Sequence, residues 1–291
     1  MNILTFDIEE WFLWEKWSTL SSERHRVFDS KLGQLLDLLD LCGIKATFFC
    51  VGMMGKRFPD VIRKIKERGH EIGCHSNTHA WLNKMSREEC FEDTRIAVDS
   101  IEQCTGEKVF SYRAPAFSVG EENQWVFEVL AQNGITRDSS VFPAKRDFGG
   151  FPSFGKDTPS LISCGGKTIK EFPISATSLL GYRTAFSGGG YFRFFPLWFI
   201  LSRMKKRDYN ICYFHIADFV KEERMSKAEY EAYFMEKAGP FSTYVRYVKT
   251  NLGRGKSWKK LSKTIKEQEF MSLEEADRIQ DWDTAPTALD L

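Results

Sequence analysis

The run GHEIGCHSNTH, residues 69–79, sets His75 and His79 four positions apart, and the opening TFDIEE carries Asp7, Glu9 and Glu10. Two imidazoles with one carboxylate make a ligand set that leaves a catalytic zinc an open position for water and substrate. A second carboxylate then stays free as a base, so the pattern points to a metal hydrolase. The four-residue spacing lets two imidazole nitrogens reach one cation from a single turn, much as positions i and i+4 share a helix face. On an extended strand Asp7 and Glu9 share one side and Glu10 faces the other. Asp7 is therefore paired with Glu9, while Glu10 is a reserve ligand or an ion-paired surface acid.

Short β-like runs alternate with helical patterns along the first half of the chain: ILTFDI, a helix from about Asp29 to Cys42, ATFFCV, a helix from Asp60 to Arg68, and HEIGC. Alternation of this kind predicts a parallel α/β sheet or barrel. Asp29 reads as an N-cap, Gly43 and Gly69 as C-terminal stops, and Ser86 with Glu89 as a capping box for a helix reaching about Cys104. VFSYR and ITRDS read as further strands around a helix from Glu121 to Asn133, and ICYFHI as a late one. Residues 142–168 read as an insertion without regular structure, broken by Gly149, Gly150, Pro152, Gly155 and Pro159. In parallel sheets, functional groups collect at the C-terminal strand ends. Asp7, His75, Arg113 and His215 each fall at such an end.

The 291 residues can bury one large core with a tail. Forty-one Lys and Arg stand against 40 acids, a net charge of +1 that gives no reason to expect nucleic acid as partner. Seven scattered Cys without a CxxC pair fit reduced thiols in a cytosol, with Cys74 and Cys212 on buried strands. Met1 leads directly into the acid-bearing strand, so a signal peptide is not expected and a cytoplasmic location is.

In order along the chain, TFDIEEWF (Asp7, Glu9), HSNTH (His75, Ser76, His79), YRAPAF (Arg113, Pro115) and YFHIADF (His215) resemble the motifs of the polysaccharide deacetylases with the NodB homology domain, carbohydrate esterase family 4. GGGYFRFFP, EFPIS and PFSTYVRY resemble its exopolysaccharide and lipopolysaccharide-locus subgroup. The resemblance covers about residues 1–220. It implies an irregular (β/α) barrel, with residues 221–291 as a helical C-terminal extension. It also implies a divalent metal, usually zinc, and removal of N-acetyl groups from amino sugars.

By that resemblance Glu9, His75 and His79 hold the metal, with Glu9 standing where the family usually has a second aspartate. Asp7 takes the proton of the attacking water, Arg113 sits against Asp7 to keep it charged and aimed, and His215 protonates the departing amine. The subgroup often reads HPWE where this chain has His215, Ile216, Ala217 and Asp218. The partner orienting His215 is thus open between Asp218 and Glu171.

The other histidines have structural readings: His70 as a satisfied core residue and His25 as surface. Trp11, Phe12 and Trp14 either stack on a sugar ring or fill the core. Tyr191–Leu201 is apolar but too short to span a bilayer, and it reads as a packed helix started at Pro196, with membrane-surface contact as a minor reading. Arg246, Lys249, Arg254, Lys256, Lys259, Lys260, Lys263 and Lys266, followed by an acidic tail from Glu274, form a solvated basic face. That face would also suit anionic headgroups or a lipid- or nucleotide-linked glycan precursor at the inner face of the membrane. The leading function is deacetylation of an amino sugar in surface polysaccharide biosynthesis. A deformylase or other non-peptide amide hydrolase is the near alternative; a non-heme iron oxygenase and an inactive sugar-binding module are the distant ones.

Overall fold

The computed structural model describes residues 1–17, 21–146, 149–179, 181–220, 244, 247–248 and 252–291. Nine strands form one sheet in the order β10-β1-β2-β3-β4-β5-β7-β6-β11. They are β1 (Asn2–Ile8), β2 (Thr47–Cys50), β3 (Glu71–Cys74), β4 (Ser111–Tyr112), β5 (Arg137–Asp138), β6 (Ser160–Cys164), β7 (Lys167–Glu171), β10 (Asn210–His215) and β11 (Thr287–Asp290). All neighbours run parallel except β6 and β7. A separate antiparallel pair joins β8 (Ala176–Leu179) to β9 (Tyr182–Ala185). The fold class is α/β with a parallel sheet, as the alternating pattern requires.

A parallel strand is covered on both faces and is therefore apolar on both. In β1, Leu4, Phe6 and Ile8 join the large core beneath the helices, whereas Ile3 packs into a second cluster with Phe49, Ile211 and Tyr213. Asp7 and Thr5 share the Ile3 side, so two polar groups face this inner space among aromatic rings.

Connecting helices hold the strand ends at fixed heights. Helix α1 (Glu10–Trp17) follows β1 directly, α2 (Ser21–Leu41) returns to β2, and α3 (Gly52–Arg57) with α4 (Pro59–Glu67) leads to β3. Helix α5 (Arg87–Thr105) starts at the Ser86/Glu89 capping box and stops at Gly106, left-handed at φ 72°. Helix α6 (Val126–Gln132) precedes β5, while α7 (Gly189–Phe194) and α8 (Leu197–Met204) precede β10. Beyond β10, α9 (Arg254–Glu267) and α10 (Leu273–Ile279) lead to β11. Residues 271–290 bridge the sheet, because Met271 pairs with Ile3 of β1 and β11 pairs with β6 at the far end of the order.

Several local expectations change. The first long helix starts at Ser21, so Asp29 lies inside it, where its Oδ1 accepts from Trp11 Nε1 at 3.0 Å. The stretch read as an insertion contains β6 and the start of β7, a hairpin turning at Gly165 and Gly166. Gly165 and Gly166 supply the positive φ that closes such a turn. Trp11, Phe12 and Trp14 are buried, which assigns them to the core. His25 is half-buried, bonded to the Trp11 carbonyl at 2.9 Å and edge-on to Phe58. His70 is buried, accepts from Ala46 N at 3.3 Å, and is held down to about 4 by burial and by Lys45. Cys74 and Cys212 lie on buried strands, and all seven cysteines are free thiols. Pro196 caps α8 as expected, and no helix among the described residues is long and apolar enough to cross a membrane. Arg246, Lys249 and most of PFSTYVRY lie outside the described residues.

Candidate metal centre

Strand register creates the site. Ile8, Cys50, Cys74, Tyr112, Asp138 and Glu171 stand opposite one another in a single row across the sheet. One step beyond that row come Glu9, His75 and Arg113, and Asp7 is paired with His215 one step before it. Residues up to about 200 positions apart in sequence thus converge at one mouth.

Glu9, His75 and His79 bring one ligand atom each to within 4.8 Å of one another, and all three are buried. Glu9 Oε2 lies 3.4 Å from His75 Nε2 and 2.7 Å from His79 Nε2. Such separations can be spanned by one divalent ion bound at about 2.0–2.2 Å from N and O donors. The donor chemistry fits as well. His75 Nδ1 is 2.7 Å from the Arg113 carbonyl, which can only accept, so the ring proton sits on Nδ1 and the Nε2 lone pair faces the cluster. Burial alone would raise the Glu9 carboxyl, but His79, His215 and His75 hold it well below the usual range. Glu9 is therefore an anionic oxygen between two ring nitrogens, the arrangement a cation requires.

The loop that delivers the imidazoles is not helical. Ser76 and His79 both adopt positive φ, 57° and 58°, which costs a non-glycine residue on the order of 1 kcal/mol each. Tethers offset that strain: Asp93 Oδ2 accepts from Asn77 N at 2.9 Å, and the Gly52 and Met53 amides donate to the carbonyls of Ser76 and Asn77. Spacing indicated that a single turn could bring both imidazoles to one cation, and the left-handed residues Ser76 and His79 shape that turn. Glu9 likewise follows the end of β1, so its position comes from the strand-to-helix turn and not from alternation along a strand.

Asp7 is outside the ligand cluster and buried. Arg113 Nη1 donates to Asp7 Oδ1 at 2.9 Å and to Thr5 Oγ1 at 2.8 Å, and its other nitrogens donate to the Ser139 carbonyl and hydroxyl. The guanidinium lies 4.3 Å from the Phe49 ring centre. A fully buried Arg with this many partners cannot swing, so the Asp7 carboxylate is held in one orientation. His215 sends Nε2 toward the same space, 3.6 Å from Glu9 Oε1 and 3.8 Å from Asp7 Oδ2, with a third of its side chain reaching solvent. Burial would lower this imidazole, but the carboxylates of Glu9, Asp218 and Asp7 raise it to about 10.

Glu10 takes a different task from either expected one. Its Oε1 accepts from Ala217 N at 2.7 Å, tying the exit of β1 to the turn after β10, and burial pushes its carboxyl up to about 7. The choice of partner for His215 resolves on Asp218, 3.5 Å from Nδ1, whereas Glu171 bonds Val141 N and faces Asp138. Asp93, which tethers the histidine loop, and Asp138, which faces Glu171, were missed from sequence. Only Asp138, an acid closing the ITRDS strand, carried a positional signal.

Residues 3–137 match the family model described as polysaccharide deacetylase, and residues 139–278 match a domain of unknown function, DUF3473. A peptidoglycan-N-acetylglucosamine deacetylase of Bacillus cereus is 31% identical over 101 residues, which are 35% of this chain and 46% of that protein. Chitin deacetylase 1 of Saccharomyces cerevisiae is 30% identical over 92 residues, 32% of this chain and 30% of that one. The alignments cover less than half the length of these curated relatives. A crystal structure from Mycobacterium smegmatis, described as a polysaccharide deacetylase, superposes with a TM-score of 0.56 over 93% of this chain and 91% of that one, at 19% identity, which speaks for the fold alone. Residues 3–137, just under half of the chain, carry a polysaccharide deacetylase domain.

Proposed function

We propose that the protein is a metal-dependent hydrolase that removes an N-acetyl group from an amino sugar during surface polysaccharide biosynthesis in the cytoplasm. The observation that carries this reading is the free carboxylate of Asp7, held by Arg113 beside a Glu9–His75–His79 cluster and across from His215. Deacetylation of peptidoglycan and chitin by the named relatives supports the reaction type.

Glu9, His75 and His79 would hold the divalent metal, and their two-imidazole, one-carboxylate donor set suits zinc. When bound, the metal supplies Lewis-acid polarisation and a lowered water pKa. Asp7 accepts the proton of the attacking water. Arg113 fixes that carboxylate so that the lone pair faces the water and not the protein. His215, carrying a proton, gives it to the amide nitrogen as the C–N bond breaks, and the amine leaves neutral. In this reading the ligand and catalytic residues all lie within residues 1–220, and residues 271–290 bridge the sheet on which they stand. The substrate is an N-acetylated sugar, free or on a lipid- or nucleotide-linked precursor, met near the inner membrane face.

Metal analysis coupled to acetate and formate release, across a panel of nucleotide sugars and lipid-linked sugars, tests this. Stoichiometric metal with acetate release that Asp7→Asn abolishes is expected. Formate without acetate would replace deacetylation by deformylation, and release of neither acid by metal-loaded protein would overturn the reading.

A further inference from the structure

The chain as a whole is nearly neutral, yet two stretches that meet in the fold carry charge of one sign. Residues 189–207 hold five basic residues and residues 253–266 hold six, with no acid in either. The second stretch includes most of α9, where Lys256, Lys259, Lys263 and Lys266 are all exposed. At 3.6 residues per turn these four fall within an arc of about 80°, so they form one face. Among the described residues one exposed ion pair touches that face, Lys263 with Glu267 at 3.6 Å. Lys260, beside it, donates its Nζ to the carbonyls of Phe192, Arg193 and Phe195 and so fastens α9 to the end of α7. Next to that junction the chain exposes two large apolar side chains, Phe194 at 68% and Trp198 at 72%. Phe195 and Phe199 lie between them with ring centres 4.8 Å apart, Phe195 at 5.4 Å from Phe194 and Phe199 at 6.0 Å from Trp198. The four rings make one continuous ridge.

We propose that this aromatic ridge and the lysine face of α9 dock the protein on an anionic phospholipid bilayer. Singly exposed apolar residues are ordinary, but rings joined into a ridge beside a row of cations fit the boundary between lipid headgroups and acyl chains. There Phe and Trp rings enter the apolar layer, while ammonium groups on long stems reach the lipid phosphates. Lys205 and Lys206, exposed at the end of α8, add to the positive field. With eight residues α8 is too short to span, so the ridge enters one leaflet only. The same surface leads to the reaction site. Gly188 and Gly189, where α7 starts, lie against the ring of Tyr213, two residues before His215. A bilayer held at Phe194 and Trp198 therefore lies one short helix from the mouth where Asp7, Glu9 and His215 meet, which suits a lipid-linked sugar. The proposal supplies the surface for the membrane contact in the functional reading above. It rests on that reading only for the use of the contact, since docking needs neither metal nor turnover.

Sedimentation of the full chain with vesicles at physiological salt tests this. Vesicles of phosphatidylcholine with about 30% phosphatidylglycerol should bind the protein at least about tenfold more tightly than phosphatidylcholine alone, because each lysine near an anionic surface contributes on the order of fivefold. The joint change Phe194→Ser and Trp198→Ser, and separately Lys256→Gln with Lys259→Gln, Lys263→Gln and Lys266→Gln, should each lower binding at least about tenfold at an unchanged Tm. A brominated lipid should quench the wild-type tryptophan fluorescence, and Trp198→Phe, which keeps an apolar ring, should bind as before with less quenching. No binding to the anionic vesicles, or equal binding to the neutral ones, overturns the proposal. Undiminished binding after loss of both aromatic residues also overturns it, leaving the lysines as a site for soluble polyanions. A dimer in gel filtration without lipid, abolished by Trp198→Ser, overturns it in favour of a second copy of the chain. Wild-type protein that binds vesicles but releases no acetate or formate from any sugar overturns the deacetylase reading and upholds the docking surface.

Discussion

Arg113 and Asp7, separated by 106 positions, meet at 2.9 Å with both side chains buried. The pair joins the end of β4 to the end of β1 and leaves the second Asp7 oxygen facing His215. Removing one partner of a buried ion pair leaves a charge without compensation and costs about 3–5 kcal/mol. Arg113→Met should therefore lower the urea-denaturation free energy by about that amount and abolish acetate release. Asp7→Asn is closer to isosteric, and should retain metal while losing rate by about 10²–10⁴-fold. An unchanged rate in Asp7→Asn would remove Asp7 as the base.

His75→Ala deletes a ligand nitrogen and the bond to the Arg113 carbonyl together. Metal content measured after dialysis against zinc should fall below stoichiometric, and the zinc-induced rise in Tm should disappear with it. Retained stoichiometric zinc in this variant would show that the cluster of Glu9, His75 and His79 is not the binding site.

Gly73 sits in β3 two residues before His75. A Cβ there would lie 2.6 Å from the Phe49 ring and 3.0 Å from the Ser111 carbonyl, so something must shift. Gly73→Ala should destabilise the fold by about 1–3 kcal/mol, the usual range for overpacking, and weaken zinc binding as the strand end moves. Calorimetry with and without zinc checks both.

Asp138 and Glu171 face each other at the ends of β5 and β7. Burial raises both carboxyls, and the Asp138 charge raises Glu171 further, so the pair retains a proton that the unfolded chain sheds near pH 4. A raised acid contributes its full stability below the unfolded pKa and loses it as pH rises toward the folded one. Stability attributable to this pair should thus fall as pH rises above about 4, by up to about 1.4 kcal/mol per pH unit for one proton. Glu171→Gln, neutral throughout, should flatten that slope in urea titrations, and an identical slope in the variant would refute the shared proton.

Asp277 of α10 accepts from Lys170 at 2.6 Å, Arg137 at 3.3 Å and Trp282 at 2.8 Å. Glu71 meanwhile accepts from the Glu274 amide at 2.8 Å, so the chain after α9 is latched to the starts of β3 and β5 and to Lys170 near the end of β7. Asp277→Ala should cost about 1–3 kcal/mol by removing the acceptor that Lys170, Arg137 and Trp282 share, read as a lowered Tm.

Much of this site was legible from residue types. The helix from Ser86, the strands ending in Asp7, His75, Arg113 and His215, and the cluster of Glu9 with two imidazoles all follow from periodicity, capping chemistry and motif order. Parallel strands were indicated because strand-like runs alternate with helical patterns along the first half of the chain. Local signals failed where distant contacts set the outcome. β6 lies inside the stretch read as irregular, since its pairing with β7 and β11 supplies hydrogen bonds that no nearby residue announces. Glu10, an acid beside a candidate ligand, became a clamp on Ala217 because α1 begins at that residue and turns its side chain toward the turn after β10.

The sequence by itself determined which groups are available: two imidazoles, a pair of acids, a strand-end Arg and a late His, each on a separate element. Only the tertiary structure decided which acid faces the imidazoles, which one is held by Arg113, and that Asp218 rather than Glu171 serves His215. Those choices depend on strand register and on turns with left-handed residues at Ser76 and His79, both fixed by long-range hydrogen bonding and packing. Residue spacing fixes reach along the chain, but direction at a strand end is set by what lies on the neighbouring strands.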